Sequence, residues 1–377
     1  MGVYARTGKD VESDAWKDRM RPFCDSHGIQ VWCGDAMTLL SRLADGSVGA
    51  VVTDPPYEIM MNTTFESRRW DHQGISFNPA FWAAVRVKTR PGASLFAFGS
   101  PRTWHHLCDA LEEAGWRIVD QICRLKPHGM PKGEYADHAV DKALGVKDTR
   151  PVISRGGAVI GRRTRVQGAY RPVSAQAKVW ADYNPSLKPA WEPIVVAQNP
   201  RVMPLGDSLL AGHGGVLHVD GTPYPSNLIV DDAVRMPDMP RFWLDSHADG
   251  RSYAYDDMMM RPNDPADDAW RGACAVVGLD PTSPLIPRRL CTPGMLDHMS
   301  EAGVRHVAHP TVKPLSLMRR IVHLAGTSPI LDPFAGSGTT LEAARAEGLQ
   351  AVGFERDAQY LPLITARLAQ PIQDGLL

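Results

Sequence analysis

The chain has 377 residues, 41 Lys and Arg against 42 Asp and Glu, 44% hydrophobic and 22% charged. That usage excludes a disordered or fibrous protein, and the net charge of −1 excludes one that coats nucleic acid through bulk positive charge. The length predicts two domains, or one α/β domain carrying a large insertion. No apolar run reaches the roughly 18–20 residues that span a bilayer, and the start MGVYARTGKDVESDAW lacks the apolar core of a secretory signal, so a cytoplasmic protein is expected. Cys24, Cys33, Cys108, Cys123, Cys274 and Cys291 form no C-x-x-C pair, so reduced thiols and no metal are expected.

In chain order, Ile29–Cys33 predicts a short strand, followed by a turn at Gly34-Asp35 and an amphipathic helix with Met37, Leu39, Leu40 and Leu43 inward. Val48–Thr53 is a second strand, stopped at Pro55. The apolar run Ala93–Gly99 reads as a buried strand, Arg102–Gly115 as a helix with Gly115 as its C-cap, and Trp116–Leu125 as the next strand. From Lys126 to Trp180 the pattern dissolves into Gly, Pro, Arg and Lys, which makes a basic stripe. Strand character returns at Ile194–Ala197. Residues 201–304, rich in Pro, Gly, Asp and Met, read as an irregular, acidic and partly disordered insertion, with Met258-Met259-Met260 as loop or packing. Regularity resumes with a helix at Pro314–Leu324, a strand at Ile330–Leu331, a helix at Thr339–Glu347, a strand at Ala351–Phe354 and a helix at Ala358–Leu368.

Two stretches carry chemistry. Asp332-Pro333-Phe334-Ala335-Gly336-Ser337-Gly338-Thr339 is a strand followed at once by a glycine-rich turn and a helix, where backbone can approach a ligand and free N–H groups favour a negative group. It lacks the Lys of a phosphate-binding P-loop and the third glycine of the dinucleotide fingerprint, so ATP and NAD fit poorly. Glu355 ends the next strand, where an acid in this fold hydrogen-bonds ribose hydroxyls. Thr53-Asp54-Pro55-Pro56-Tyr57 lies at the C-terminal end of a predicted strand, where open α/β sheets place ligands; two prolines stiffen a loop that carries a carboxylate before them and an aromatic ring after them.

Together these motifs resemble the amino-methyltransferases that modify exocyclic nitrogens of DNA bases with S-adenosylmethionine. Asp54, Pro55, Pro56 and Tyr57 are similar to the family's catalytic D-P-P-Y, and F-A-G-S-G-T from Phe334 to its cofactor motif. The catalytic motif comes first, which resembles the permuted β group. Gly34-Asp35-Ala36 resembles the segment that meets the cofactor adenine, His309-Pro310-Thr311-Val312-Lys313-Pro314 the segment lining its methionine end, and Trp191-Glu192-Pro193-Ile194 the block near the base pocket. The middle, with Gly214-Gly215-Val216 and Tyr224-Pro225-Ser226-Asn227-Leu228, looks like phage- and plasmid-borne members.

The resemblance implies a Rossmann-like α/β fold with a mostly parallel sheet, its catalytic half in residues 1–125, a basic target-recognition region in 126–186, a return strand in 187–200, the acidic insertion in 201–304 and the cofactor half in 305–377. It implies S-adenosylmethionine held by Asp35, Ala36, Asp54, His309, Thr311, Lys313, Asp332, Phe334, Ala335, Gly336, Ser337, Gly338, Thr339, Glu355 and Arg356. Double-stranded DNA would be met by Arg68, Arg69, Arg155, Arg162, Arg163, Arg165, Arg171 and Lys178, with Tyr170 and Trp180 as stacking surfaces, and Trp70 and His72 beside the strand. Relatives of this group often pair as homodimers. His105, His106 and His128 have no ligand spacing and read as solvated or core residues.

None of the cysteines follows a proline, which excludes carbon-5 methylation of cytosine through a Pro-Cys thiolate. Asp54 is the usual adenine form, where cytosine N4 enzymes more often carry Ser. Adenine N6 is therefore expected, with cytosine N4 as the rival. RNA methylation, glutamine methylation and a binding protein that has lost catalysis are more distant alternatives.

Overall fold

The computed structural model describes residues 21–59, 74–126, 134–148, 150, 152–154, 164–166, 170–187, 189–221, 226–231, 243–245, 257–260, 268–277, 285–287, 291, 292, 295, 299, 305–309 and 312–372. Its strands are β1 (Cys24–Ser26), β2 (Ile29–Cys33), β3 (Val48–Thr53), β4 (Thr89–Phe98), β5 (Arg117–Leu125), β6 (Val152–Ser154), β7 (Thr164–Val166) and β8 (Trp191–Gln198). They continue with β9 (Leu228–Asp231), β10 (Trp243–Asp245), β11 (Asp257–Met260), β12 (Leu285–Pro287), β13 (Arg305–Ala308), β14 (Ile330–Asp332) and β15 (Ala351–Glu355).

One ten-stranded sheet runs in the order β1-β2-β15-β14-β3-β4-β8-β5-β9-β10. From β2 to β4 every neighbour is parallel, while β8 runs antiparallel between β4 and β5. All six residues of β3 are buried, as expected of a strand covered on both faces. Alternation assigns β4 to two layers. Phe96 and Phe98 face the helices Leu315–Ala325 and Thr339–Ala346, whereas Leu95 and Ala97 meet Phe81, Trp82, Leu107 and Leu111.

This topology places early strand β3 beside late strand β14, in register Ala50 to Ile330. The C-terminal ends of β2, β3, β4, β14 and β15 therefore share one edge of the sheet. Because β8 is reversed, its start lies at that same edge, where the Gly99 N–H donates to the Pro193 carbonyl at 2.9 Å.

Several expectations need correction. Met37 is 38% exposed, because the helix is only Ala36–Leu39 followed by a single 3-10 turn, and one turn offers one inward row. The strand expected at Ile194 begins at Trp191, and the one expected at Ala93 begins at Thr89. A helix at Pro79–Lys88 went unread, although Asn78 caps the Ala80 N–H and Pro79 opens it. The stretch 201–304 is more regular than expected. β11 and β12 join β13, which lies just beyond the stretch, in a three-stranded sheet, the helix Asp268–Val277 follows β11, and Met259, Trp270, Cys274, Ile286 and Met299 make a small separate core. Met258–Met260 is strand rather than loop, and Met259 packs in this core, as the packing alternative expected.

Candidate active site

Thr53, the last residue of β3, donates its hydroxyl to Asp332 Oδ1 at 2.7 Å across 279 residues of sequence. Both are buried, so this bond ties the catalytic-type loop to the glycine-rich turn at their roots. Thr53→Val keeps the shape and removes the donor. It is expected to cost about 1–2 kcal/mol of stability, seen as a lower urea midpoint at unchanged slope.

Beyond Thr53, Asp54 Oδ2 lies 2.7 Å from Lys313 Nζ, whereas Oδ1 is buried with no hydrogen-bond partner. Burial pushes the Asp54 carboxyl above its ordinary range even against the Lys313 charge. The Lys313 ammonium also donates to the Tyr57 hydroxyl at 2.9 Å, and that hydroxyl donates to Glu192 Oε1 at 3.1 Å. Glu192 is buried too, yet Lys313, Lys126 and the Arg124 guanidinium at 3.0 Å hold it well below the carboxylate range. Burial, with Asp54 and Glu192 nearby, raises the Tyr57 phenol well above its usual value, so it stays a neutral donor. The loop is pinned from behind, since Ser76 Oγ donates to the Pro56 carbonyl at 2.6 Å and Thr103 Oγ1 to that of Tyr57 at 2.8 Å.

The glycine-rich turn stands next to this loop. Asp332 Oδ1 accepts the Phe334 N–H at 3.1 Å, and burial pushes its carboxyl up to about 6. Glu355 Oε2 accepts the Gly336 N–H and Oε1 the Asp357 N–H, each at 2.7 Å, and burial raises this carboxyl to about 7. Gly336 has φ +53°, and a Cβ there would stand 2.7 Å from His309 Nε2. Burial lowers the His309 imidazole to about 4, so it is neutral at pH 7, with its ring against Tyr360 at 4.7 Å. Gly34 donates to the Glu355 carbonyl at 2.9 Å, which brings Asp35 and Ala36 to the same end. There Asp35 caps the Thr38 N–H at 3.1 Å. Ala335, Ser337 and Thr339 are buried within the turn, Phe334 packs on Phe81, and Arg356 is exposed at the rim.

Thus the structure brings together the predicted Asp54–Tyr57 loop, Lys313, His309, the turn and Glu355. The sequence reading missed two supports. Arg367, fully buried in the last helix (Leu361–Ala369), donates to the Ser337 carbonyl at 3.0 Å and pairs with Glu342 at 2.7 Å, bracing the turn. The cationic surround of Glu192 was also unread, for Arg124 lies on β5 and meets Glu192 only through strand pairing.

The DNA-facing residues fare differently. Arg171, Lys178 and Trp180 are exposed. Arg165 falls on β7, while Arg68, Arg69, Trp70, His72, His128, Arg155, Arg162, Arg163 and Thr311 lie outside the residues described or beyond what is described of them. Tyr170 is engaged within the protein. Its hydroxyl donates to Asp141 at 2.7 Å, Arg150 lies 4.8 Å over its ring, and His138 packs against its edge.

A stretch of 63 residues is 44% identical to the "DNA adenine methyltransferase YhdJ" of Escherichia coli, covering 16% of this chain and 21% of that protein. Another of 83 residues is 35% identical to the "Type II methyltransferase M.ScaI" of Streptomyces caespitosus, covering 22% and 27%. The matches therefore span about a quarter or less of those relatives. Among solved structures, M1.HpyAVI superposes with a TM-score of 0.42 at 16% identity, covering 91% of this chain and 100% of that one. The PvuII DNA methyltransferase (cytosine-N4-specific) gives 0.47 at 14%, covering 91% and 86%. The profile of the N6/N4 DNA methylase family matches residues 48–366, from β3 into the last helix. The chain belongs to the N6/N4 DNA methylase family.

Proposed function

We propose that the protein transfers a methyl group from S-adenosylmethionine to the exocyclic N6 of adenine in duplex DNA, after the base has been flipped from the helix. The observation that carries this reading is the unpartnered Oδ1 of Asp54, held at the sheet edge where the glycine-rich turn begins. The glycine-rich turn brings backbone at φ +53° and +82° to this edge beside the buried Glu355 carboxyl, a donor set that suits the ribose and charged tail of S-adenosylmethionine. When bound, that donor supplies an electrophilic methyl on a sulfonium.

The rest falls to the chain. An exocyclic amine is a poor nucleophile, because its lone pair is delocalised into the ring. Asp54 Oδ1 and the Pro55 carbonyl accept its two N–H bonds, draw the nitrogen toward tetrahedral geometry and direct its lone pair at the methyl. With that donor bound, the nitrogen would take its methyl while the sulfonium leaves as a neutral thioether, and Asp54 or water would accept the released proton. Such alignment and preorganisation supply up to roughly 7–11 kcal/mol. Tyr57 offers its ring to the flipped base and offsets part of the few kcal/mol of lost stacking. Lys313 is a positioning residue, fixing Asp54 Oδ2 and the Tyr57 hydroxyl at once.

Adenine is favoured over cytosine by Asp54 itself, and by the similarity to a protein described as a DNA adenine methyltransferase. Region 126–186 would meet the duplex, with Arg171 and Lys178 on phosphates. A homodimer and a cytoplasmic setting, in a bacterium or its phage, complete the reading. No described helix is long and apolar enough to cross a membrane.

Glu355 makes cofactor binding pH-dependent. Its carboxyl titrates near 7 in the free protein, and a ribose hydroxyl donates best to the ionised form, so binding displaces a proton. Affinity for S-adenosylmethionine is expected to fall as pH drops below about 7, by up to about tenfold per unit. Calorimetry across pH checks this, and Glu355→Gln should bind more weakly at high pH with a flat profile. The function is tested by offering labelled S-adenosylmethionine with duplex DNA or RNA. Label in DNA alone is expected; label in RNA alone would overturn the assignment.

A further inference from the structure

We propose a second ligand site, for one divalent transition-metal ion of the zinc class, formed by His218, Asp220 and His323 on the side of the fold away from the active site. Their ligand atoms all lie within 4.8 Å of one another. Asp220 and His323 are 103 residues apart in sequence, so no ligand spacing announces the site. His323 occupies the last turn of the helix Leu315–Ala325, whose first turn follows Lys313. At about 1.5 Å per residue, it stands roughly 15 Å from the catalytic edge, so an ion there would join elements and take no part in methyl transfer.

Two of the three separations are near those of a small tetrahedral ion, within a cluster spread over at most 4.8 Å. Nitrogen and oxygen ligands at about 2.0–2.1 Å from zinc stand about 3.3–3.4 Å from each other. Here His323 Nε2 is 2.9 Å and His218 Nε2 3.6 Å from Asp220 Oδ1. Both Nε2 atoms reach the same carboxylate oxygen, and because the rings lie face to face at 4.4 Å, closing on one ion requires the exposed His218 ring to turn toward it.

A supporting shell is in place. His323 Nδ1 lies 3.1 Å from Glu347 Oε2, an arrangement that holds the proton on Nδ1, donated to the carboxylate, and leaves Nε2, now facing Asp220, as the nitrogen an ion would take. Arg319 fixes Glu347 at 2.7 Å, and the His218 N–H donates to the Leu324 carbonyl at 2.9 Å. Arg319 is thereby engaged, while Arg320 adds a positive field at Asp220 that an ion must overcome. Because His218 and Asp220 are more than half exposed, water can complete the coordination. The ion would clasp the segment after β8 to the helix Leu315–Ala325 and, through Glu347, to the end of the helix that starts at the glycine-rich turn.

The test uses the full chain, stripped with a chelator and titrated with Zn²⁺ or Co²⁺ alone. One equivalent is expected to bind and to raise Tm. Co²⁺ should show tetrahedral d–d absorption without sulfur-to-metal charge transfer, which separates this site from the cysteines. His218→Ala and Asp220→Asn should each weaken binding at least about tenfold, and Glu347→Gln about 10–100-fold. Asn tolerates the left-handed φ of +46° at Asp220, so that variant should keep its fold. Absence of saturable binding, a thiolate spectrum, or unchanged affinity in both His218→Ala and Asp220→Asn would overturn the proposal and leave these groups an electrostatic clasp only.

Discussion

Asp54→Ala is expected to lower single-turnover methyl transfer about 10²–10³-fold, with affinity for S-adenosylmethionine largely kept. The size follows from what the carboxylate supplies: a fixed acceptor aimed where positive charge develops on the amine. Its Oδ1 already stands in the site without a partner, so no reorganisation precedes the reaction. The alanine variant should stay folded, because Lys313 retains Glu192 at 3.6 Å and the Tyr57 hydroxyl. Asp54→Asn separates charge from shape. It keeps one acceptor oxygen and is expected to fall between wild type and alanine. Retained turnover in the alanine variant would remove Asp54 from catalysis.

Gly336→Val is expected to weaken cofactor binding at least about tenfold, through two effects at one atom. A left-handed φ costs a residue with a Cβ about 1–2 kcal/mol, and a β-branched one more. The added Cβ would also press on His309 Nε2, whose ring is held against Tyr360. Relief must come from the turn, which carries the N–H that Glu355 accepts. Stability should fall as well, so binding is measured by calorimetry at a temperature where circular dichroism shows the variant folded. Unchanged affinity would mean that the turn does not hold the cofactor. Gly336→Ala should show the same defect in milder form.

What the sequence disclosed follows from the range of each signal. Val48–Thr53 and Ala351–Glu355 were legible because a buried parallel strand is one continuous apolar run, and its end is marked by the residue that follows. The Asp332–Thr339 turn was legible because glycines at φ +53° and +82° are a local requirement. Lys313 could be named from its motif, but its position between Asp54, Glu192 and Tyr57 depends on how a late segment packs against β3 and β8. Arg367 was silent for the same reason, since nothing near it in the chain shows that its guanidinium will close on the Ser337 carbonyl. The bond from the Tyr170 hydroxyl to Asp141, 29 residues away, was likewise invisible in the sequence. The helix Pro79–Lys88 did carry a signal in Asn78-Pro79, outweighed by its weak amphipathic pattern.

Weighing the nucleosides released from duplex DNA after incubation with the purified protein and S-adenosylmethionine tests the central claim most directly, because the product reports both the reaction and the atom attacked. N6-methyl-2′-deoxyadenosine is expected, absent when Asp54 is alanine. N4-methyl-2′-deoxycytidine alone would contradict the assignment of the base, and unmodified DNA from a folded, cofactor-bound protein would contradict methyl transfer itself.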